Sequence, residues 1–63
     1  MDDIYMVEVN REVVGIFMDY MDAKDRALDE RESSANLVAI VICSPYKIGG
    51  DRVYYEPEER IYI

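Results

Sequence analysis

The chain contains no histidine, no tryptophan, one cysteine and one phenylalanine in 63 residues. Each shortage excludes something. Without histidine there is no side chain whose ordinary pKa lies near neutrality, and no imidazole to activate a serine or cysteine nucleophile. A single cysteine, Cys43, rules out an internal disulfide and fits a reducing compartment. The lack of histidine and of a cysteine pair leaves no ligand set for zinc, so neither a metal site nor a cofactor is expected. The longest apolar run, Leu37 to Cys43, is seven residues, against the ~20 that a membrane-spanning helix needs. Met1 is followed by Asp2 and Asp3, the wrong charge for the start of a signal peptide. These features together read as a cytoplasmic, non-enzymatic protein.

What the chain has in quantity is negative charge. Fourteen Asp or Glu face seven Lys or Arg, a net charge of −7. Nucleic-acid affinity comes largely from cations that neutralise phosphates, so direct binding to DNA or RNA is disfavoured. Anionic membranes are disfavoured for the same reason. The favoured partner is a basic protein, drawn in by electrostatic steering. The length allows one domain, residues 1–63. A chain this short hides only about 60% of the surface that its unfolded form exposes. Its own core supplies only roughly 3–5 kcal/mol, so a second copy or a partner would add usefully to stability.

The order of elements is predicted to be strand, strand, helix, strand, strand, with a fifth strand if Pro57 interrupts the last: an α+β domain with one helix on a small antiparallel sheet. Residues 4–9 and 12–17 are rich in branched and aromatic side chains and flank Asn10-Arg11, a two-residue hairpin turn. That turn would set Val7 opposite Val14 and Tyr5 opposite Ile16, with Ile4, Met6, Val13 and Phe17 on the other face. Asp19 is a good N-cap, with Asp22 at the N3 position, for a helix running to about Glu32. Ser33, Ser34 and Asn36 read as a short loop. Residues 37–43 do not alternate, which marks a strand covered on both faces. Ser44-Pro45 would end it. Residues 52–56 and 60–63 follow, with Pro57 confining them to an edge. One helix covers one sheet face, so the other side of 37–43 needs a copy, a loop or a partner to shield it.

The helix carries the sharpest functional signal. Asp22, Asp25, Asp29 and Glu32 fall within an arc of about 80° at 100° per residue. Arg26 is placed to offset Asp22, whereas Asp25 and Asp29 have no cation on their ridge. Tyr20, Ala23, Ala27 and Leu28 lie on the packing side. The carboxylate row reads as an imitation of successive phosphates, offered to a basic groove. It also reads as a solvated face that keeps an acidic protein soluble. Asp2, Asp3, Glu56, Glu58 and Glu59 either extend that surface or are solvated ends.

Other candidates are weaker. Six tyrosines offer interface area with a polar tip, or simply core packing with the hydroxyl in water. Cys43 ends an apolar strand and reads as a small hydrophobe rather than a nucleophile. Gly49-Gly50 is not followed by the Lys-Ser or Lys-Thr of a phosphate loop.

The stretch Val14-Gly15-Ile16-Phe17, the acidic cap, then Ala23 and Ala27 on the packing face resembles a pattern common in small phage-encoded proteins. The chain as a whole is similar in architecture and charge to small anti-CRISPR and anti-restriction inhibitors. That resemblance implies an inhibitor that occludes a nucleic-acid-binding surface in the host cytoplasm, some such proteins acting by acidic mimicry. On this reading the partner-binding residues are Asp22, Asp25, Asp29 and Glu32. The alternative is a homo-oligomeric structural or adaptor protein, such as a homodimer, assembled through a sheet edge and the spare apolar face.

Overall fold

A computed structural model describes residues 2–33 and 37–63. Five elements follow one another: β1 (Ile4–Val9), β2 (Glu12–Phe17), α1 (Tyr20–Ser33), β3 (Val38–Gly49) and β4 (Arg52–Tyr62). The strands form one antiparallel sheet in the order β2-β1-β3-β4, and α1 packs on one face of it. The expected α+β arrangement of one helix on an antiparallel sheet is therefore present, with four strands among the described residues, within the four to five expected.

The first hairpin turns where expected. Asn10 and Arg11 both adopt positive φ, 52° and 69°, the pattern that matches a tight turn to the twist of its strands. Asn10 also latches the start of β3, the strand beside β1. Its N–H donates to the Leu37 carbonyl at 2.8 Å, and its side-chain oxygen accepts from Leu37 N–H at 3.2 Å.

The register differs from simple alternation. Val7 pairs with Gly15 and Tyr5 with Phe17, because a β-bulge intervenes after the Glu8–Val13 pair. The extra residue lets Val14 and Phe17, of opposite parity, both pack against the core with Tyr5 and Val9. Phe17 therefore leaves the face shared by Ile4, Met6 and Val13. Its ring lies over Gly15, where an added Cβ would sit 2.8 Å from a ring carbon.

β3 and β4 are longer than the prolines suggested. β3 continues through Ser44 and Pro45 to Gly49, and β4 is one strand through Pro57. Both prolines sit beside register shifts, at Cys43↔Pro57 and between Pro45 and Lys47, where the ladder is already interrupted. Pairing with β1 stops at Cys43, so residues beyond it form a two-stranded ribbon that turns at Gly50, φ 64°. The molecule is accordingly elongated, 41 × 19 × 17 Å. Ser33 is the last helical residue rather than part of a loop, and its hydroxyl donates back to the Asp29 carbonyl at 2.9 Å. Ser34 and Asn36 lie outside the described residues.

The core is Val7, Val38 and Ile40 from the sheet with Ala23 and Ala27 from the helix. Two alanines on the seam let the helix backbone approach closely. Leu28, one step round the helix from that seam, stays 42% exposed instead of packing on the sheet.

The other face of β3 is dry as well. Ala39, Val41 and Cys43 point there, and none is more than 3% exposed. Among the described residues no second helix covers them, and what shields them comes from the chain itself. Glu8 on β1 pairs with Ala39, Arg60 on β4 pairs with Val41, and the two charged side chains meet across β3. Arg60 Nε donates to Glu8 Oε1 at 3.2 Å and Nη2 to Oε2 at 3.3 Å. The two-pronged geometry is the strong form of a carboxylate–guanidinium pair.

Two variants test this packing. Gly15→Val forces a side chain into the Phe17 ring and is expected to cost about 1–3 kcal/mol in urea unfolding. Full stability would show that the ring can move aside freely. Arg60→Ala strands a buried carboxylate, whereas Glu8→Gln leaves a neutral amide that can still meet Arg60. The urea midpoint is therefore expected to fall further in Arg60→Ala; equal falls would refute a shielding role for the pair.

Candidate partner-binding face

The helix fixes its own orientation through three contacts. Asp19 starts it, its side chain accepting from Met21 N–H at 3.3 Å and its carbonyl taking the first helical bond from Ala23 at 3.2 Å. Ala23 and Ala27, both with no exposed surface, form the seam. Tyr20 meets Tyr5 of β1 edge-on, ring centroids 5.7 Å apart, which pins the first turn to the sheet.

With that seam buried, the opposite side is set by helical geometry. Asp22, Asp25, Asp29 and Glu32 lie there and all four are exposed. The row climbs ten residues, about 15 Å at 1.5 Å per residue. A DNA strand advances ~3.4 Å per phosphate, so it carries about four charges over the same length. Residue by residue, the structure brings the four expected site positions onto one face.

Arg26 does not serve the row as expected. Its Nε pairs with Glu30 Oε1 at 3.0 Å rather than with Asp22. Both residues are half-buried and flank the seam, and an Arg26 Nη lies 3.8 Å from the position of a Cβ on Gly15. The guanidinium is thus held on the sheet side of the helix. Among the described residues, no ion pair reaches Asp22, Asp25, Asp29 or Glu32. The secondary acidic positions Asp2, Glu56, Glu58 and Glu59 are also exposed, and Asp3 is half-buried.

The open sheet face carries a second feature that sequence reading missed. Glu8, Arg11, Leu37, Ala39, Arg60 and Tyr62 line a shallow depression of about 200 Å³. The Glu8–Arg60 pair forms part of its lining. The hydrogen bond to Glu8, and then the charge of that carboxylate, raise the already high pKa of Arg60. The available signal was Glu8 itself, a charge sharing the face of Ile4 and Met6 on an otherwise apolar strand.

Cys43 lies on this same face, buried. Burial pushes its thiol above the ordinary 9.0; the Glu8 carboxylate adds to the rise and Arg60 opposes it. A raised thiol pKa is the reverse of what a nucleophile needs. The tyrosines divide. Tyr5 and Tyr20 pack on the core, while Tyr46, Tyr54 and Tyr62 are 57%, 40% and 56% exposed. Lys47 lies over the Tyr54 ring, 5.5 Å from its centroid, on the β3–β4 ribbon.

Among the described residues, no group of three or more His, Cys, Asp or Glu could share a metal ion, and no helix is long and apolar enough to cross a membrane. No protein-family model, curated protein or solved structure matches the chain.

The thiol gives a direct test of this face. A folded state that holds the Cys43 proton more tightly than the unfolded state is stabilised by it below 9.0 and loses that stability as pH rises above it. Cys43→Ala should flatten the alkaline part of the stability curve. At mildly alkaline pH an alkylating reagent should label native Cys43 at least roughly tenfold more slowly than the denatured chain. Equal rates would mean that the face is open to solvent.

Proposed function

We propose that this protein is a non-enzymatic acidic binding module that occupies the basic nucleic-acid-binding surface of a target protein, in the manner of an anti-restriction or anti-CRISPR inhibitor. One observation carries the reading: four carboxylates on the outward side of a single anchored helix, exposed and free of ion pairs among the described residues. Exposed like charges three and four residues apart cost an isolated helix a few tenths of a kcal/mol per pair. This chain bears that cost on the row while placing Arg26 elsewhere.

The charge density supports mimicry over simple solubility. About four charges over about 15 Å match one strand of a nucleic-acid backbone. A groove of lysines and arginines built for phosphates would accept the same spacing. The carboxylates need little reorganisation, because the alanine seam and the Tyr5–Tyr20 contact already hold the helix. A net charge of −7 would speed the encounter with a basic surface.

The test begins with capture of partners from the native cytoplasm at low and high salt. A basic nucleic-acid-handling protein, retained at low salt and released at high salt, is expected. DNA or RNA should compete for it. Asp25→Lys with Asp29→Lys should weaken binding by at least about a hundredfold, roughly 2.7 kcal/mol, with the urea midpoint retained. Undiminished affinity in that double variant would refute the proposal.

A further inference from the structure

Arg11 stands where the backbone favours glycine. The second position of the Asn10-Arg11 turn has φ 69°, a left-handed conformation that strains most side chains and suits glycine. The chain keeps an arginine there, and among the described residues no ion pair or side-chain hydrogen bond reaches its guanidinium. The side chain is exposed and lines the depression of about 200 Å³ on the open sheet face. Backbone strain that serves no contact within the chain points to a contact outside it. Arg60 brings a second guanidinium with donors to spare. Its Nε and Nη2 serve the two oxygens of Glu8, which leaves three of its five N–H groups. The Arg60 side chain is 46% exposed, that of Glu8 only 11%. The lining therefore holds two guanidinium charges against one carboxylate that is already engaged, a local positive excess on a chain of −7. Tyr62 and Leu37, 56% and 49% exposed, add apolar walls, and the small side chain of Ala39 leaves room between them.

We infer that this depression binds a small organic carboxylate with a flat apolar body, its carboxylate taken by Arg11 and the outer edge of Arg60 and its body laid against Tyr62 and Leu37. Guanidinium forks match a carboxylate in shape as well as in charge. The depression is smaller than the ~300 Å³ at which drug-sized sites begin, so the ligand is small. The acidic row does not repel it. That row lies on the far side of a helix about 10 Å across, with the sheet between, and charges are largely screened beyond about 8 Å at physiological ionic strength. Neither site needs the other.

Titration of the whole chain with benzoate, followed by the NMR shifts of its backbone amides, tests this. Shifts at Arg11, Ala39 and Tyr62 should saturate with a dissociation constant of about millimolar order, as suits so small a ligand in so open a site. Acetate lacks the ring and benzamide lacks the charge, and each should bind at least roughly tenfold more weakly. Arg11→Gly relieves the turn, so it should hold or raise the urea midpoint while benzoate affinity falls at least roughly tenfold. Tyr62→Ala should bring benzoate down to the affinity of acetate. Asp25→Lys with Asp29→Lys should leave benzoate binding unchanged, which separates this site from the acidic row. Benzoate affinity undiminished in Arg11→Gly would overturn the proposal. So would shifts that rise without saturation at Lys24, Arg31 and Arg52 alike, the mark of unspecific pairing with exposed cations.

Discussion

β3 must be dry on both faces, and the chain has one helix with which to cover it. Val38 and Ile40 are sealed by the Ala23–Ala27 seam. On the other face Ala39 and Val41 are flanked by an ion pair thrown across the strand from its two neighbours, while Met6 and Ile4 of β1 pair with Val41 and Cys43. The small side chain at Ala39 leaves room for Glu8 to lean over, and the long Arg60 stem spreads methylenes above apolar neighbours. Glu8 is buried while Arg60 stays exposed, and an ion pair open to water on one side is usually weak as a source of stability. Here it also acts as a lid, and its two ends fix β1 and β4 in register against β3. A residue pair of opposite charge thus replaces the second layer that so small a domain cannot build.

The same economy shapes the electrostatics of the helix. Because the seam consists of alanines, the helix lies close to the sheet, and apart from Tyr20, which packs on Tyr5, its long side chains are directed to the flanks or outward. Arg26 and Glu30 neutralise each other on one flank. The remaining acids face water together. The exposed row is therefore a consequence of how the core is packed, and its rigidity derives from the sheet below it.

Much of this was legible from local pattern. The Asn10-Arg11 turn, the Asp19 cap and the acidic row need only short-range rules and a 3.6-residue period, and each falls where those rules put it. The bulge at Val13-Val14 was not legible, because alternation assumes that no residue is inserted; the adjacent valines before Gly15 were its trace. Pro45 and Pro57 read as terminators because a regular ladder cannot hold them, and only the register shifts beside them explain how the strands pass through. Arg26 had an acid four residues away on either side, and the choice between them depended on the sheet beneath. The Glu8–Arg60 bond spans 52 positions and exists only once two registers are set. It was beyond the reach of any local rule.

Among the described residues, the ribbon beyond Cys43 has neither a third strand nor a helix behind it. Two strands alone are marginal in water, so this segment should breathe at lower free energy than the body to which it is attached. Lys47 and Arg52 sit on either side of its turn, the side chains that trypsin recognises. Limited digestion would therefore begin at the tip, and the first nick would shorten an arm while leaving the helix and the four-stranded part of the sheet closed.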